Sequence, residues 1–239
     1  MKELVKLSFV YGIGTVLTKL IGFFLIPLYT SYFSTSEYGL LSLLNVILQL
    51  TTFVLLFGLN QASMRFYKKC DKIHLKKQIY GNATILLLII PIVLIIFLVP
   101  ILKLIISEFV KSISFKPYVF IILVIAFLQP IQKLCTGFML INKDGIRYVI
   151  FNIGLFVIQV IFIILMVVYL NKGVIGQLYG RLFAHLIFFL ISLYILFNYA
   201  DFTINKKIIL KLLKFGIPLI PFFIFTWIGE ASGRFYIEY

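Results

Sequence analysis

The sequence predicts an all-α fold, a polytopic bundle of transmembrane helices. Three observations predict it. Of the 239 residues, 62% are hydrophobic and only 13% are charged, with a mean hydropathy of +1.12. Soluble globular chains run at about 45–50% apolar and about 25% charged, so a water-soluble fold could not hide this much apolar surface. The apolar residues also gather into runs of the roughly 20 residues that a helix needs to cross a bilayer. The basic residues, finally, collect at alternate ends of those runs.

Taken in order, the runs place spans near residues 8–33, 39–64, 79–102, 118–141, 148–170 and 174–197, with a seventh beginning near 215. The ends of the first six flank short connections, the longest outer one running from about Ser107 to Pro117. With the N-terminus in the cytoplasm, the inner flanks carry Lys2, Lys6, Lys68, Lys69, Lys72, Lys76, Lys77, Lys143, Arg147, Lys206, Lys207, Lys211 and Lys214. The outer flanks carry only Lys103, Lys111, Lys116 and Lys172. Lys and Arg are retained on the cytoplasmic side during insertion, so this asymmetry sets the orientation and supports the span count. The expected division is a six-helix lobe over residues 1–200, then a cytoplasmic connector and the first helix of a second lobe over 201–239. An even number of helices separates the first span from the seventh, which suits a parallel repeat about an axis normal to the membrane.

The formal charge of +14 would suggest nucleic acid in a soluble protein. In a membrane protein, basic loops facing anionic lipid account for it, and no nucleic-acid partner is expected. Cys70, in a basic loop, and Cys135, in an apolar run, form neither a disulfide framework nor a metal-ligand spacing. No metal or cofactor is expected. The opening apolar run is too long for a cleavable signal peptide. Asn82-Ala83-Thr84 matches the glycosylation tripeptide but falls at a membrane edge on the cytoplasmic side.

Charge inside the spans is the chemical signal. A charged group at the bilayer centre costs about 2.5–3.5 kcal/mol on insertion scales, and such groups face protein or water. Lys19, Arg65, Lys133, Arg181 and Arg234 fall within spans, with Glu230 and His185. Arg65 is close enough to an inner helix end to snorkel. The others belong to polar stripes at helical spacing: Thr15, Lys19, Gly22, Ile26 and Thr30; Asn45, Gln49, Thr52 and Asn60; Gln129, Lys133 and Thr136; Asn152 and Gln159; Gln177, Arg181, His185 and Ser192; Thr226, Glu230 and Arg234. Polar stripes on so many spans point to a shared hydrated cavity, with hydrogen-bond glue between helices as the alternative for the Asn, Gln, Ser and Thr positions. Glu230 and Arg234 can equally pair with each other at i, i+4. Excess positive charge in a low-dielectric cleft attracts an anion, and Arg and Lys suit phosphate or diphosphate. Apolar walls between helices suit a lipid tail. Lys19, Arg181, Lys133 and Arg234 are therefore the candidate anion ligands. Asn45, Gln49, Gln129, Asn152, Gln159 and Gln177 are candidate cavity-lining groups, and Glu230 and His185 the titratable candidates for ion coupling.

The stretch Lys19-Leu20-Ile21-Gly22-Phe23-Phe24-Leu25-Ile26-Pro27-Leu28-Tyr29-Thr30 is followed by Ser36-Glu37-Tyr38-Gly39, Phe57-Gly58-Leu59 and Arg65-Phe66-Tyr67. This order resembles the opening of the polysaccharide transporter family, which includes O-antigen and capsule repeat-unit flippases. That family lies within the multidrug/oligosaccharidyl-lipid/polysaccharide exporter superfamily. The stretch Lys214-Phe215-Gly216-Ile217-Pro218-Leu219-Ile220-Pro221, with Arg234-Phe235 beyond it, looks like the start of the family's second lobe. The resemblance implies a two-lobed transporter of the bacterial cytoplasmic membrane that rocks around a cationic cavity. Its cargo would be an oligosaccharide repeat unit linked to undecaprenyl diphosphate, flipped to the outer leaflet for surface polysaccharide biosynthesis. Lys19 matches the basic position in the family's first span, and Arg65-Phe66-Tyr67 the motif that closes the second. Members usually have about twelve to fourteen spans, so alternating access would need a second half or a homodimer partner.

Rival readings are a lipid II flippase, a cation-coupled drug exporter and a non-functional membrane fragment. A drug exporter for cations should show more cavity carboxylates than Glu230. An enzyme needs acid, base or nucleophile groups at an aqueous face, and the outer loops offer only Glu37 and Glu108, with no histidine.

Overall fold

The computed structural model describes residues 25–109 and 115–235. Among the described residues the chain is helical, without strands, and six helices are long and apolar enough to cross a membrane. It is therefore a multi-pass membrane protein. Helix α1 is described over residues 25–32; the rest of the first expected span, with Lys19, lies outside the described residues.

Helix α2 runs over Thr35–Leu56. Ser34 and Glu37 start it with a capping box: the Glu37 N–H donates to Ser34 Oγ at 3.3 Å, and the Ser34 N–H donates to Glu37 Oε2 at 2.9 Å. The sequence predicts one continuous span over 39–64, and here the structure corrects it. The chain turns at Phe57 and Gly58, both left-handed with φ of 52° and 64°, and restarts as α3 over Leu59–Lys69. Two successive left-handed residues cannot continue a right-handed helix. Glycine is needed at 58 for a second reason. A Cβ there would strike the backbone of Gly216 from the end of another helix.

Helix α4 spans Ile73–Phe109 and holds Pro91 and Pro100. After a π-helical turn at Phe115–Val119 comes α5, Phe120–Ile141. Helix α6, Gly145–Ile164, starts on Asp144, whose carboxylate accepts from the Arg147 N–H at 3.1 Å, and it runs into a second π-helical turn at Leu165–Tyr169. Then follow α7 at Gly173–Tyr199, α8 at Lys206–Gly216 and α9 at Leu219–Phe235. Helix α9 takes up the seventh expected span, and the turn between Gly216 and Leu219 that precedes it lies beside the turn between α2 and α3.

Helix α5 is the centre of the bundle: 67% of its most apolar stretch is buried, against 11% for α4 and α6, whose remaining apolar surface is left for lipid. Two packed clusters surround it. One joins Leu44, Leu48 and Leu55 of α2 to Ile122 and Ile125 of α5 and to Val174 and Leu178 of α7. The other, at the opposite end, joins Leu59 and Tyr67 of α3 to Tyr80 and Leu87 of α4, Leu134 of α5, Leu196 of α7 and Leu212 of α8. Polar groups tie that second end shut. Buried Asn82 donates from Nδ2 to the Gln78 and Thr203 carbonyls at 2.8 and 3.0 Å, and its Oδ1 accepts from the Asn205 N–H at 3.0 Å. Thr203 donates to Asp201 from its hydroxyl and from its N–H, and these two hydrogen bonds hold the Asp201 carboxyl below its ordinary range.

Candidate functional site

Helices α1, α2, α5 and α7 enclose one cavity of about 890 Å³. Asn45, Gln49 and Thr52 come from one face of α2, Gln129 and Lys133 from α5, and Gln177 and Arg181 from α7. Each set repeats at i, i+3 or i, i+4, so a single helix face delivers all its members to the same side. Three of the stripes read from the sequence therefore meet. Tyr29, Tyr38 and Ser42 complete the polar wall.

The Arg181 guanidinium donates from Nη1 to Asn45 Oδ1 at 2.6 Å, reaching from α7 to α2. Its Nε is buried without a hydrogen-bond partner, as is Gln177 Oε1 one helical turn away. Gln177 Nε2 lies 3.4 Å from the Tyr29 hydroxyl, to which it donates. Lys133 is exposed into the cavity, and its ammonium has no hydrogen-bond or ion-pair partner among the described residues. Among the described residues the one ion pair is Arg147 with Asp144, at 3.3 Å and outside the cavity. No carboxylate stands among the described wall residues. Among the described residues, two cations thus share one cavity with no acid to neutralise them.

Directly behind the wall, Gln132 and His185 fix each other. Gln132 Nε2 donates to the His185 carbonyl at 2.7 Å, so its Oε1 is left to accept from the His185 Nδ1–H at 2.9 Å. That assigns the ring proton to Nδ1 and leaves Nε2 to accept from Gln129 Nε2 at 3.4 Å. Gln129 Oε1 in turn accepts from the Thr52 hydroxyl at 3.0 Å, a proton that Thr52 shares with the Leu48 carbonyl at 2.8 Å. This chain of bonds stitches α2, α5 and α7 together. Gln129 and Thr52 act as interhelical glue and as wall at once, and His185 stands behind the wall rather than in it.

Two expected wall residues do not join the others. Asn152 and Gln159 sit on α6 and are absent from this cavity's wall; Asn152 donates to the Tyr148 carbonyl of its own helix at 2.7 Å. The side chains of Glu230 and Arg234, like Lys19, lie outside the described residues. Sequence reasoning passed over Tyr29, Tyr38, Ser42 and Gln132. Tyrosine reads as apolar in a hydropathy scan, and Ser42 extends the α2 stripe by one step (42, 45, 49, 52) that the spacing could have shown.

Fold and site together define a multi-pass helical bundle built around a cationic cavity. The chain belongs to the polysaccharide biosynthesis protein family, which it matches over residues 4–237. That bears out the resemblance read from the segments that begin at Lys19 and end at Tyr67. No curated protein matches the chain by sequence. Among solved structures it is similar to a multidrug resistance MATE family transporter of the MOP superfamily in an outward-facing conformation. The two share 19% identity at a TM-score of 0.73, over 98% of this chain and 54% of that one. It is likewise similar to a MATE protein in complex with Br-NRF, at 18% identity and TM-score 0.76, over 98% and 56%. A third match is a MOP superfamily transporter from Pyrococcus furiosus, described as having a binding pocket of reverse polarity that suggests a different function. It shares 18% identity at TM-score 0.73, over 98% and 54%. The chain spans about half the length of the structures it matches, and at these identities the likeness is one of fold.

Proposed function

We propose that this chain forms one lobe, and the start of a second, of a flippase for undecaprenyl-diphosphate-linked oligosaccharide repeat units in a bacterial cytoplasmic membrane. The observation that carries the proposal is the pairing of Lys133 and Arg181 in one cavity whose described wall holds no carboxylate. A diphosphate supplies the missing negative charge, and Arg and Lys are its natural ligands. Lys19 and Arg234 are proposed to add to the same field. The pocket charge is what separates this cargo from a cationic drug, whose desolvation beside two cations unpaired among the described residues would be unfavourable. In the Pyrococcus furiosus transporter, too, pocket polarity is taken to bear on function.

In this proposal residues 1–200 form the first lobe and 201–239 open the second, with the N-terminus in the cytoplasm. The reaction is transport, not bond-making. Movement of the two lobes against each other carries the head group across while the lipid tail stays in the bilayer. The partner for that movement is a second lobe, supplied by a further segment, a separate chain or a second copy.

The test is complementation in a strain lacking its repeat-unit flippase, with the chain expressed alone and with the family's C-terminal lobe in trans. Surface polysaccharide restored in either arm, and lost with Lys133→Gln plus Arg181→Gln, supports the proposal. Polysaccharide restored equally by the doubly substituted chain would refute the role of the two cations. Transport of a cationic dye in place of polysaccharide would favour the drug-exporter reading.

A further inference from the structure

Helix α8 presents three faces. Leu212 and Gly216 are buried inward, and Phe215 beside them lies under the Arg65 guanidinium, 4.4 Å from the ring centroid. Lys207, Lys211 and Lys214 follow at i, i+4 and i+7 on the opposite side, all exposed, with exposed Lys206 at their edge. Flanking that row, Leu210 and Ile217 are 66% and 47% exposed. An apolar edge running beside a row of lysines is the pattern of a helix lying in the plane of a membrane interface.

Its neighbours extend the positive surface. Helix α3 packs alongside and exposes Arg65, Lys68 and Lys69, and α4 opens with exposed Lys77 one residue after Lys76. Part of this charge is already engaged by aromatic rings: Arg65 on Phe215, Lys76 on Tyr67 at 4.9 Å and Lys77 on Tyr199 at 5.9 Å. The ammonium groups of Lys206, Lys207, Lys211 and Lys214 have no ion pair or ring partner among the described residues. Asp201, the nearest acid in sequence, is engaged by Thr203.

We infer that α8, with the exposed side of α3, is a binding surface for anionic phospholipid headgroups of the adjacent leaflet. The lysine row takes the lipid phosphates, and Leu210 and Ile217 enter the acyl boundary. The surface uses none of the cavity residues and stands whatever the cargo is. It also has a structural consequence. Gly216 ends α8 against the backbone of Phe57 and Gly58, so a lipid-held α8 fixes the depth of the break from which cavity-lining α2 departs.

The experiment measures binding of phosphatidylglycerol and of phosphatidylcholine to the purified full-length protein by native mass spectrometry and thermal unfolding, with inorganic pyrophosphate as a competitor. Each lysine near an anionic surface is worth about fivefold. Lys207→Gln/Lys211→Gln/Lys214→Gln should therefore weaken phosphatidylglycerol binding by about a hundredfold, with unfolding in phosphatidylcholine unchanged. Leu210→Gln should weaken it with the charges intact, and wild-type binding should fall as salt rises through about 0.3 M. Undiminished phosphatidylglycerol binding in the triple variant overturns the inference. So does salt-independent wild-type binding, which is readable even if the triple variant fails to fold. Displacement by pyrophosphate at matched concentration would make this a free-phosphate site and overturns it as well.

Discussion

The two ends of α7 differ in charge: the Tyr199 end buries neutral polar groups among aromatic rings, and the Arg181 end holds two cations at a cavity. At the Tyr199 end most polar groups are used up in structure, with the Tyr80 hydroxyl and Asn60 Oδ1 buried without a hydrogen-bond partner. The Tyr67 hydroxyl donates to Asn142 Oδ1 at 2.7 Å and sits 3.0 Å from the Tyr199 hydroxyl, and Asn82 makes three bonds across to the segment before α8 or within its own helix. Aromatic edges pack around them, with Tyr80 against Phe138 at 5.1 Å and Tyr67 against Tyr80 at 5.4 Å. At the Arg181 end, Arg181 Nε and Gln177 Oε1 are buried without partners, and the Lys133 ammonium has none among the described residues. Buried polar groups are normally satisfied, so a cluster of unsatisfied ones around a cavity asks for a ligand. What sets the cavity end apart is that its open groups line a space with two cations, where an anion can enter.

Substitutions at the two ends should separate accordingly. The largest effect falls on Gly81, where an added Cβ would run into the carbonyl of Asp201. Gly81→Ala should displace the connector between α7 and α8 and abolish the folded protein in a membrane extract, as read by size-exclusion profile. Next, Asn82→Ala removes three hydrogen bonds and strands their partners. At about 1 kcal/mol or more for each buried group left unpaired, a loss of about 3 kcal/mol should appear as a lowered unfolding temperature. At the cavity the sign differs. Arg181→Gln removes a charge with no counter-ion among the described residues, so stability should hold or rise while diphosphate affinity falls by about 1.5–3 kcal/mol, tenfold or more. Tyr67→Phe should cost only about 1 kcal/mol of stability and leave ligand binding unchanged. Smallest of all, Gln159→Ala should alter neither binding nor unfolding measurably, because α6 contributes nothing to the wall. A clear binding defect there would break the comparison.

Much of this was readable from residue order, and the failures have physical causes. The i, i+4 spacing of Gln129 with Lys133 and of Gln177 with Arg181 fixed which residues share a face, and keeping two cations away from lipid brought those faces together. Asn152 and Gln159 have the same kind of spacing, yet their stripe stands off the cavity. A helical period gives the angle between side chains on one helix and says nothing of how that helix is rotated against its neighbours. The break after Leu56 was hidden because Leu59, Ala62 and Phe66 carry a helical spacing on beyond it. Phe57 adopts a left-handed conformation that its side chain does not advertise, and only the contact with Gly216, 158 positions further along the sequence, shows why Gly58 must follow. His185 was legible as a polar residue in a span. Its position behind the wall depends on Gln132, which falls on the buried side of α5, away from the stripe that drew attention.

The central claim is that Lys133 and Arg181 form an anion site for the diphosphate of a lipid-linked saccharide. Its most direct test is the affinity of the full-length protein, in lipid nanodiscs, for undecaprenyl diphosphate against undecaprenol. Tight binding of the diphosphate alone, lost by tenfold or more in Lys133→Gln and in Arg181→Gln while both variants stay folded, is the predicted result. Equal affinity of wild type and both variants, or equal affinity for the uncharged alcohol, would contradict it.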